Sequence, residues 1–238
     1  MTHTNSPAPT RPAADTTTSG SGRLAPARVR LLTGLAFAVG AGLIALAVSL
    51  DTAHPVFQGW DNRWLAWMGG PHTGFPHAVA MALNWFGAPT GVVVPLALAL
   101  LLAALRRWWS LLFFATAYLG GSVVVVQVLK NTVDRQRPAH PLVTVDHGSF
   151  PSGHAFGAAL LVVLVGALFV PVARRGWWWL FSGLFVLTMM WSRTWLHAHW
   201  LSDTVAGALA GAATALLLWR AFTPLLSREA DRRQLRRR

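Results

Sequence analysis

The chain of 238 residues is 54% hydrophobic and only 12% charged, a balance that excludes an ordinary soluble globule and describes one polytopic membrane domain. Its formal net charge of +12 is gathered in short Arg clusters between apolar runs and at the C-terminus, a pattern of membrane topology rather than of nucleic-acid binding. Without any Cys there is no disulfide framework, no thiolate metal site and no cysteine nucleophile.

Residues 1–27 are rich in Thr, Pro, Ala and Ser and lack a hydrophobic period; they are expected to form a disordered tail, since they bury too little surface to offset ordering entropy. Leu31–Leu50 is a run of 20 largely apolar residues, enough for ~30 Å of helix and one span, and longer than the apolar core of a cleaved leader. Residues 51–76 mix Asp51, Asp61, Arg63 and His72 with Trp60, Trp64 and Trp67 and read as an interfacial segment. Ala78–Leu105 is apolar but broken at Gly87-Ala88-Pro89-Thr90-Gly91: either an interfacial helix followed by a short span, or one kinked and tilted span.

Trp108–Leu129 is the next span and closes on Lys130, the only lysine in the chain. The polar loop 131–150 follows. Pro151-Ser152-Gly153-His154 then opens an apolar run to Val170, and Trp177–Trp191 and Val205–Trp219 give the fifth and sixth spans. In the sixth, Gly207-Ala208-Leu209-Ala210-Gly211 is a small-xxx-small pattern that lets helices approach closely. The fold expected is an all-α, polytopic bundle of six transmembrane helices over residues 28–222, with a basic tail at 223–238 suited to cytoplasmic flanking charge or anionic lipid.

Six spans put both termini on one side of the membrane. Taking the tails and the 106–107 and 174–175 turns as cytoplasmic places 15 of the 20 basic residues inside, as the positive-inside rule requires. Alternation then delivers Lys130, the 131–150 loop, His154, Arg193, His199 and Asp203 to the extracytoplasmic face.

Three clusters on that face carry chemistry. Lys130 and Arg137-Pro138 supply two cations, one a point charge and one a fork that matches phosphate oxygens; alone, they would read as basic anchors of a helix end. Pro151-Ser152-Gly153-His154 marks a helix start, where Ser152 can cap, Gly153 allows close approach, and free backbone N–H groups attract an anion. In the stretch Ser192–Asp203, Arg193 is a third cation. His199 and Asp203 are spaced i, i+4, so that on a helix the carboxylate would hold one ring nitrogen and leave the other free. His197 falls on another face of such a helix and is read as interfacial, as are Trp195 and Trp200. His197, His199 and Asp203 also suggest a metal triplet, but the two His diverge on a helix and further carboxylates are found only in loops.

In order and spacing, Lys-x6-Arg-Pro, Pro-Ser-Gly-His and Ser-Arg-x5-His-x3-Asp resemble the three signature motifs of the type 2 phosphatidic acid phosphatase superfamily of membrane lipid phosphatases. That resemblance implies His199 as a nucleophile forming a phosphohistidine, Asp203 as its orienting group, and His154 as the acid that protonates the leaving alkoxide. It assigns the phosphoryl oxygens to Lys130, Arg137, Ser152, Gly153 and Arg193. Arg135 also matches a frequent family position, whereas Asp134 stands where many members have Gly. The expected substrate is a lipid phosphate or pyrophosphate, met among membrane lipids at the extracytoplasmic face, with no nucleic-acid partner. No cofactor is expected: three permanent cations around a phosphate leave little for a metal to do. A lipid phosphotransferase using the same phosphohistidine, and a non-catalytic transporter that binds lipid headgroups, remain open at this point. So do the choice of lipid and the oligomeric state.

Overall fold

The computed structural model describes residues 21–235, and the regular elements among them are all helical. They are α1 (Ser21–Leu50), α2 (Gln58–Trp67), α3 (Gly74–Gly87), α4 (Val93–Ala104), α5 (Trp108–Leu119), α6 (Val126–Val133), α7 (Gly153–Leu168), α8 (Arg175–Trp195) and α9 (Leu201–Leu235). A π segment, Gly120–Val125, makes α5 and α6 one continuous rod, Trp108–Val133.

Among the described residues three helices are long and apolar enough to cross a membrane: Ala27–Leu50, Trp108–Val133 and Leu201–Leu235. A fourth crossing is formed if α3 and the segment Thr90–Ala104, bent by 69° at the break, count as one. The other two expected spans depart from that pattern for separate reasons. Helix α7 is apolar but has only 16 residues, or ~24 Å at 1.5 Å per residue, because its N-terminus starts at the buried Ser152 rather than at a surface. Helix α8 is long enough at 21 residues, but Arg175 at its start and Ser192, Arg193 and Thr194 at its far end dilute its apolar character.

The ends also differ from expectation. The first helix begins at Ser21, inside the stretch expected to be a disordered tail; residues 1–20 of that stretch lie outside the described residues. At the other end α9 continues through Pro224 to Leu235 rather than stopping near 222, and 236–238 lie outside the described residues. Glu229 explains the continuation: its carboxylate accepts hydrogen bonds from the backbone N–H groups of Trp109 (2.8 Å) and Ser110 (3.3 Å) and from the Ser110 hydroxyl (2.5 Å). These are the free donors of the first turn of α5, so the tail is tied down by capping another helix.

Helix α9 is the central element, packed along α1 on one side and α7 on the other. Helix α7 is apolar on every side and sits in the core with Phe113, Phe114, Leu216 and Trp219 around it, as expected of a helix without a polar face. The small-residue pattern in α9 is what admits α7. A Cβ on Gly207 would stand 2.5 Å from the Ser152 carbonyl oxygen, and one on Gly211 would stand 2.2 Å from that of Phe156. Both contacts are backbone against backbone, and they fix the start of α7 directly over the start of α9.

Candidate active site

Four chain segments meet at one end of the bundle: the C-terminal turn of α6, the loop after it, the N-terminus of α7, and the turn that joins α8 to α9. Together they bound a cavity of ≈ 1290 Å³ whose lining includes Lys130, Arg137, Gly153, His154, Arg193 and His199. The remainder of its wall is largely apolar, with Phe86, Pro95, Tyr118, Val126 and Leu161 running away from the charged end. Ser152 is not on the wall. It is buried, and its hydroxyl oxygen accepts from the Ala155 N–H (3.4 Å) as the cap of α7. The N–H groups of Gly153 and His154 precede the first intrahelical bond, from Phe156 to the Ser152 carbonyl (3.0 Å), so the helix leaves them free.

His199 is not helical. Helix α8 ends at Trp195 and α9 begins at Leu201, so the i, i+4 spacing does not place His199 and Asp203 on one helix face. Asp203 instead sits in the first turn of α9 and reaches back to accept the Trp200 N–H (2.9 Å), the return half of a capping box. The His199 ring is held from another direction. Its Nδ1 lies 2.7 Å from the Ser149 carbonyl oxygen and 3.8 Å from Asp203 Oδ2. Since a carbonyl only accepts, Nδ1 carries the proton and Nε2 keeps its lone pair, facing a guanidinium nitrogen of Arg137 at 3.2 Å. Ser149 links the two groups, because its hydroxyl donates to Asp203 Oδ2 while its carbonyl orients His199.

The cations differ in what holds them. Lys130 and Arg137 share Asp146: Lys130 Nζ lies 2.7 Å from one carboxylate oxygen and an Arg137 nitrogen 2.5 Å from the other. The Asp146 side chain is 59% exposed. Burial by itself raises its pKa, but Lys130 and Arg137 outweigh that and hold it below the usual carboxylate range. Arg193 is anchored by Asn84 of α3, whose side-chain oxygen accepts from it at 2.7 Å. The backbone carbonyl of the same residue lies 3.1 Å from His154 Nε2. A single residue of α3 therefore sets both groups. Gly87, one turn on, makes room for the imidazole, since a Cβ there would come within 2.1 Å of the ring.

Behind the cavity Arg135 is buried between two carboxylates, 2.6 Å from Asp203 and 2.8 Å from Asp61 of α2. Asp61 also accepts from the Ser202 N–H (2.9 Å) and hydroxyl (2.6 Å). A segment read as interfacial thus supplies a buried partner to the base of α9. Asp134 has φ 40 and ψ 50 at the end of α6, its N–H donating to the Lys130 carbonyl (3.0 Å). That left-handed conformation favours Gly, and Asp is one of the few other residues that adopt it readily, so the unusual residue keeps the turn. His197 meets His72 edge to face, with ring centroids 5.2 Å apart and the planes at 85°, away from the cavity. Trp195 packs on His72 and His77, and Trp200 donates to the Gln136 carbonyl (2.8 Å), so these aromatics pack the loops around the site. Among the described residues no three His, Asp or Glu side chains gather as a metal-binding group.

A model of the PAP2 superfamily matches residues 108–226, half of the chain. A decaprenylphosphoryl-5-phosphoribose phosphatase of Mycolicibacterium smegmatis is 38% identical over 136 residues, which cover 54% of this chain and 69% of that protein. The chain belongs to the PAP2 superfamily. The like-named Mycobacterium tuberculosis protein is 30% identical over 151 residues, covering 59% of this chain and 77% of its own. In fold, this PAP2 chain is similar to the crystal structure of a transmembrane PAP2-type phosphatidylglycerolphosphate phosphatase from Bacillus subtilis, with a TM-score of 0.67 and 21% identity over 78% of this chain and 94% of that one. By name, these relatives are phosphatases of lipid phosphates, from bacteria. The matched region leaves out α1 to α4, so Asp61 and Asn84 are contributions from outside the family model.

Asn84→Ala is expected to lower kcat/KM by about 10- to 100-fold, the usual effect of removing a group that orients a first-contact residue, because Arg193 loses its only side-chain acceptor among the described residues. Asn84→Asp should be worse than Ala, since a carboxylate there would neutralise the Arg193 guanidinium that faces the cavity. Phosphate-release kinetics of both variants check the order; Asn84→Ala at wild-type rate would remove Asn84 from the site.

Proposed function

We propose that this PAP2 chain is a metal-independent phosphatase of a membrane lipid phosphate, acting through a phosphohistidine at the extracytoplasmic face. The observation that carries the proposal is the single cavity with three cations and two imidazoles at one end and an apolar wall along the rest. The charged end suits a phosphoryl group and the apolar wall suits a prenyl or acyl chain.

In the proposed reaction the substrate phosphate displaces Asp146 from Lys130 and Arg137 and is bound by these two, Arg193 and the N–H groups of Gly153 and His154. Ser152 contributes by capping the helix that presents those N–H groups. Arg137 turns from His199 Nε2 to a phosphoryl oxygen, which frees the lone pair for in-line attack on phosphorus. The P–O bond to the lipid breaks, and His154, which takes up a second ring proton from the protonated phosphate group as the substrate binds, gives that proton to the departing alkoxide. Water then attacks the phosphohistidine, losing its proton to His154, and inorganic phosphate leaves. The Ser149 carbonyl keeps Nδ1 protonated throughout, and Asp203 stabilises the charge that develops on the ring. The three guanidinium and ammonium groups stabilise the equatorial oxygens in the transition state.

For topology we infer six crossings, by α1, the bent α3–α4 pair, the α5–α6 rod, α7, α8 and α9, with both termini cytoplasmic. The proposal is tested by phosphate release from purified full-length protein with and without a chelator. The panel is decaprenylphosphoryl-5-phosphoribose, phosphatidylglycerophosphate, phosphatidic acid, diacylglycerol pyrophosphate and undecaprenyl pyrophosphate. Turnover of at least one lipid with chelator present is expected; no turnover of any, or activity lost to the chelator and restored by metal, would overturn the reading.

The pH dependence follows from His199. Burial is the main cause that lowers its pKa from 6.5 to about 4; Asp203 pulls the other way, and Arg137 and Arg193 add to the lowering. The free enzyme therefore holds a neutral nucleophile well below pH 6.5. The acid limb of kcat/KM that belongs to His199 should lie near pH 4, whereas bound phosphate favours the imidazolium and should move the limb of kcat upward. The same shift links to stability. Between about pH 4 and 6.5 the unfolded chain binds a proton that the folded chain rejects, so stability falls as pH drops through that window. A pH series of rates and unfolding midpoints tests both, and a His199 limb at 6.5 in kcat/KM would contradict the assignment.

A further inference from the structure

At the other end of the bundle lies a second cavity of ≈ 630 Å³, whose lining includes Arg30, Arg107, Arg175, Arg233, Trp219 and Glu229. Its distance from the catalytic end follows from the helices themselves. Arg30 is near the start of α1 and Arg175 at the start of α8, which ends at Arg193. Arg107 precedes the α5–α6 rod that ends beside Lys130, and Trp219 and Glu229 lie far along α9 from Asp203. From Asp203 to Trp219 is roughly 24 Å along the helix at 1.5 Å per residue.

Four guanidiniums face one carboxylate here, and that carboxylate is already committed. Glu229 caps α5 and holds Arg107 at 3.4 Å. Arg30 and Arg175 have no acidic partner among the described residues, and the Arg30 Nε is out of water without a hydrogen-bond acceptor among them. Both cations are nonetheless held in place by one indole: the Arg30 guanidinium lies 4.7 Å and that of Arg175 5.3 Å from the Trp219 ring centroid. Trp219 is only 8% exposed. Stacking of this kind fixes the planar forks before any ligand arrives and so lowers the ordering cost of binding an anion. Beside them Leu168 and Leu226 give the cavity an apolar side.

We propose that this cavity binds the phosphate of an anionic glycerophospholipid, a phosphodiester of the phosphatidylglycerol kind, with its acyl chains along the apolar side. Arg30 and Arg175 grip the phosphate oxygens as forks, and the lipid comes from the leaflet opposite the catalytic cavity. Basic flanking charge alone would need neither the shared indole nor a cleft between helices; a headgroup site uses both. The site is independent of the phosphatase chemistry at the far end.

The experiment is thermal unfolding of the full chain in neutral detergent, with phosphatidylglycerol, phosphatidylcholine or inorganic phosphate added. Phosphatidylglycerol should raise the midpoint by roughly 5 °C in the wild type and equally in Arg137→Ala, whose lesion is at the catalytic end. In R30Q/R175Q that shift should fall at least several-fold while phosphate release from a lipid phosphate in detergent shows the variant is folded. Phosphatidylcholine should do little. An equal shift from inorganic phosphate would make this a free-anion site, and an undiminished shift in R30Q/R175Q, or its loss in Arg137→Ala, would place the lipid elsewhere; each overturns the proposal. Should the double variant fail to fold, photo-crosslinking of a headgroup-labelled phosphatidylglycerol to the wild-type chain decides. Peptides containing Arg30, Arg175 or Trp219 are expected, and label confined to peptides of the His199 end refutes the site.

Discussion

His199→Ala is expected to lower kcat for lipid-phosphate hydrolysis by on the order of 10⁴–10⁶, as removal of an enzyme's nucleophile does, with a much smaller change in KM. The asymmetry follows from the geometry. In the proposed mechanism Lys130, Arg137, Arg193 and the start of α7 would stay in place to bind the phosphoryl group, and only the lone pair on Nε2 would be lost. That corresponds to roughly 5–8 kcal/mol of transition-state stabilisation taken from one atom. Deleting the ring also leaves the Ser149 carbonyl without its partner, a loss of about 1 kcal/mol for one hydrogen bond, which is too small to unfold the chain. The check has two parts. Steady-state phosphate release gives the rate. Rapid quenching into base with a substrate labelled in its phosphoryl group should trap acid-labile label on the wild-type protein and none on His199→Ala. A variant that keeps more than about one hundredth of wild-type activity, against the 10⁴-fold loss expected of a nucleophile, would mean that water attacks phosphorus directly and that His199 only assists.

The parts of this site that could be read from the chain are those whose position depends on helix ends. Lys130, His154 and Arg193 sit at the termini of apolar segments, and alternation of spans brings termini of the same parity together whatever the packing. Arg137 and His199 followed because they lie within a few residues of those termini. Other features left no such trace. The spacing of His199 and Asp203 matches one helical turn, yet the chain bends there because Asp203 is used as the cap of α9. The group that orients His199 is a backbone carbonyl at Ser149, and a carbonyl carries no residue signature. Asp61 and Asn84 come from segments that composition marks as interfacial and apolar, and their partners are far away in the chain. Each was nonetheless a polar group in apolar surroundings, and such a group requires a partner. For Asp61 that partner is Arg135, a cation the three motifs did not need. The bounds of α7, Gly153–Leu168 with Ser152 as its cap, were legible in the cap residues and the apolar run; what it packs against was not. Its place is set by where Gly207 and Gly211 allow it to lie against α9, which is a property of two helices together.

Arg135→Met should be among the most damaging single changes away from the phosphate itself. The guanidinium is 1% exposed and bridges Asp61 and Asp203, themselves almost wholly buried. Removing one partner of a buried ion pair costs about 3–5 kcal/mol, because the remaining charge stays out of water uncompensated, and here two carboxylates are left. The expected result is a fall of roughly 10 °C or more in the unfolding midpoint, given ~2–4 °C per kcal/mol for a chain of this size. A second effect separates positioning from plain destabilisation. Asp203, no longer neutralised, is the nearest anion to the His199 ring at 3.8 Å, and an unpaired carboxylate favours the imidazolium. The acid limb of kcat/KM should therefore move up from near pH 4 towards the ordinary histidine range in whatever fraction of the variant remains folded. Asp61→Asn provides the contrast: it leaves Arg135 paired with Asp203, so it should lose stability while keeping the acid limb where it was. A shift of the limb in both variants, or in neither, would show that Arg135 serves the fold alone and does not set the charge felt by His199.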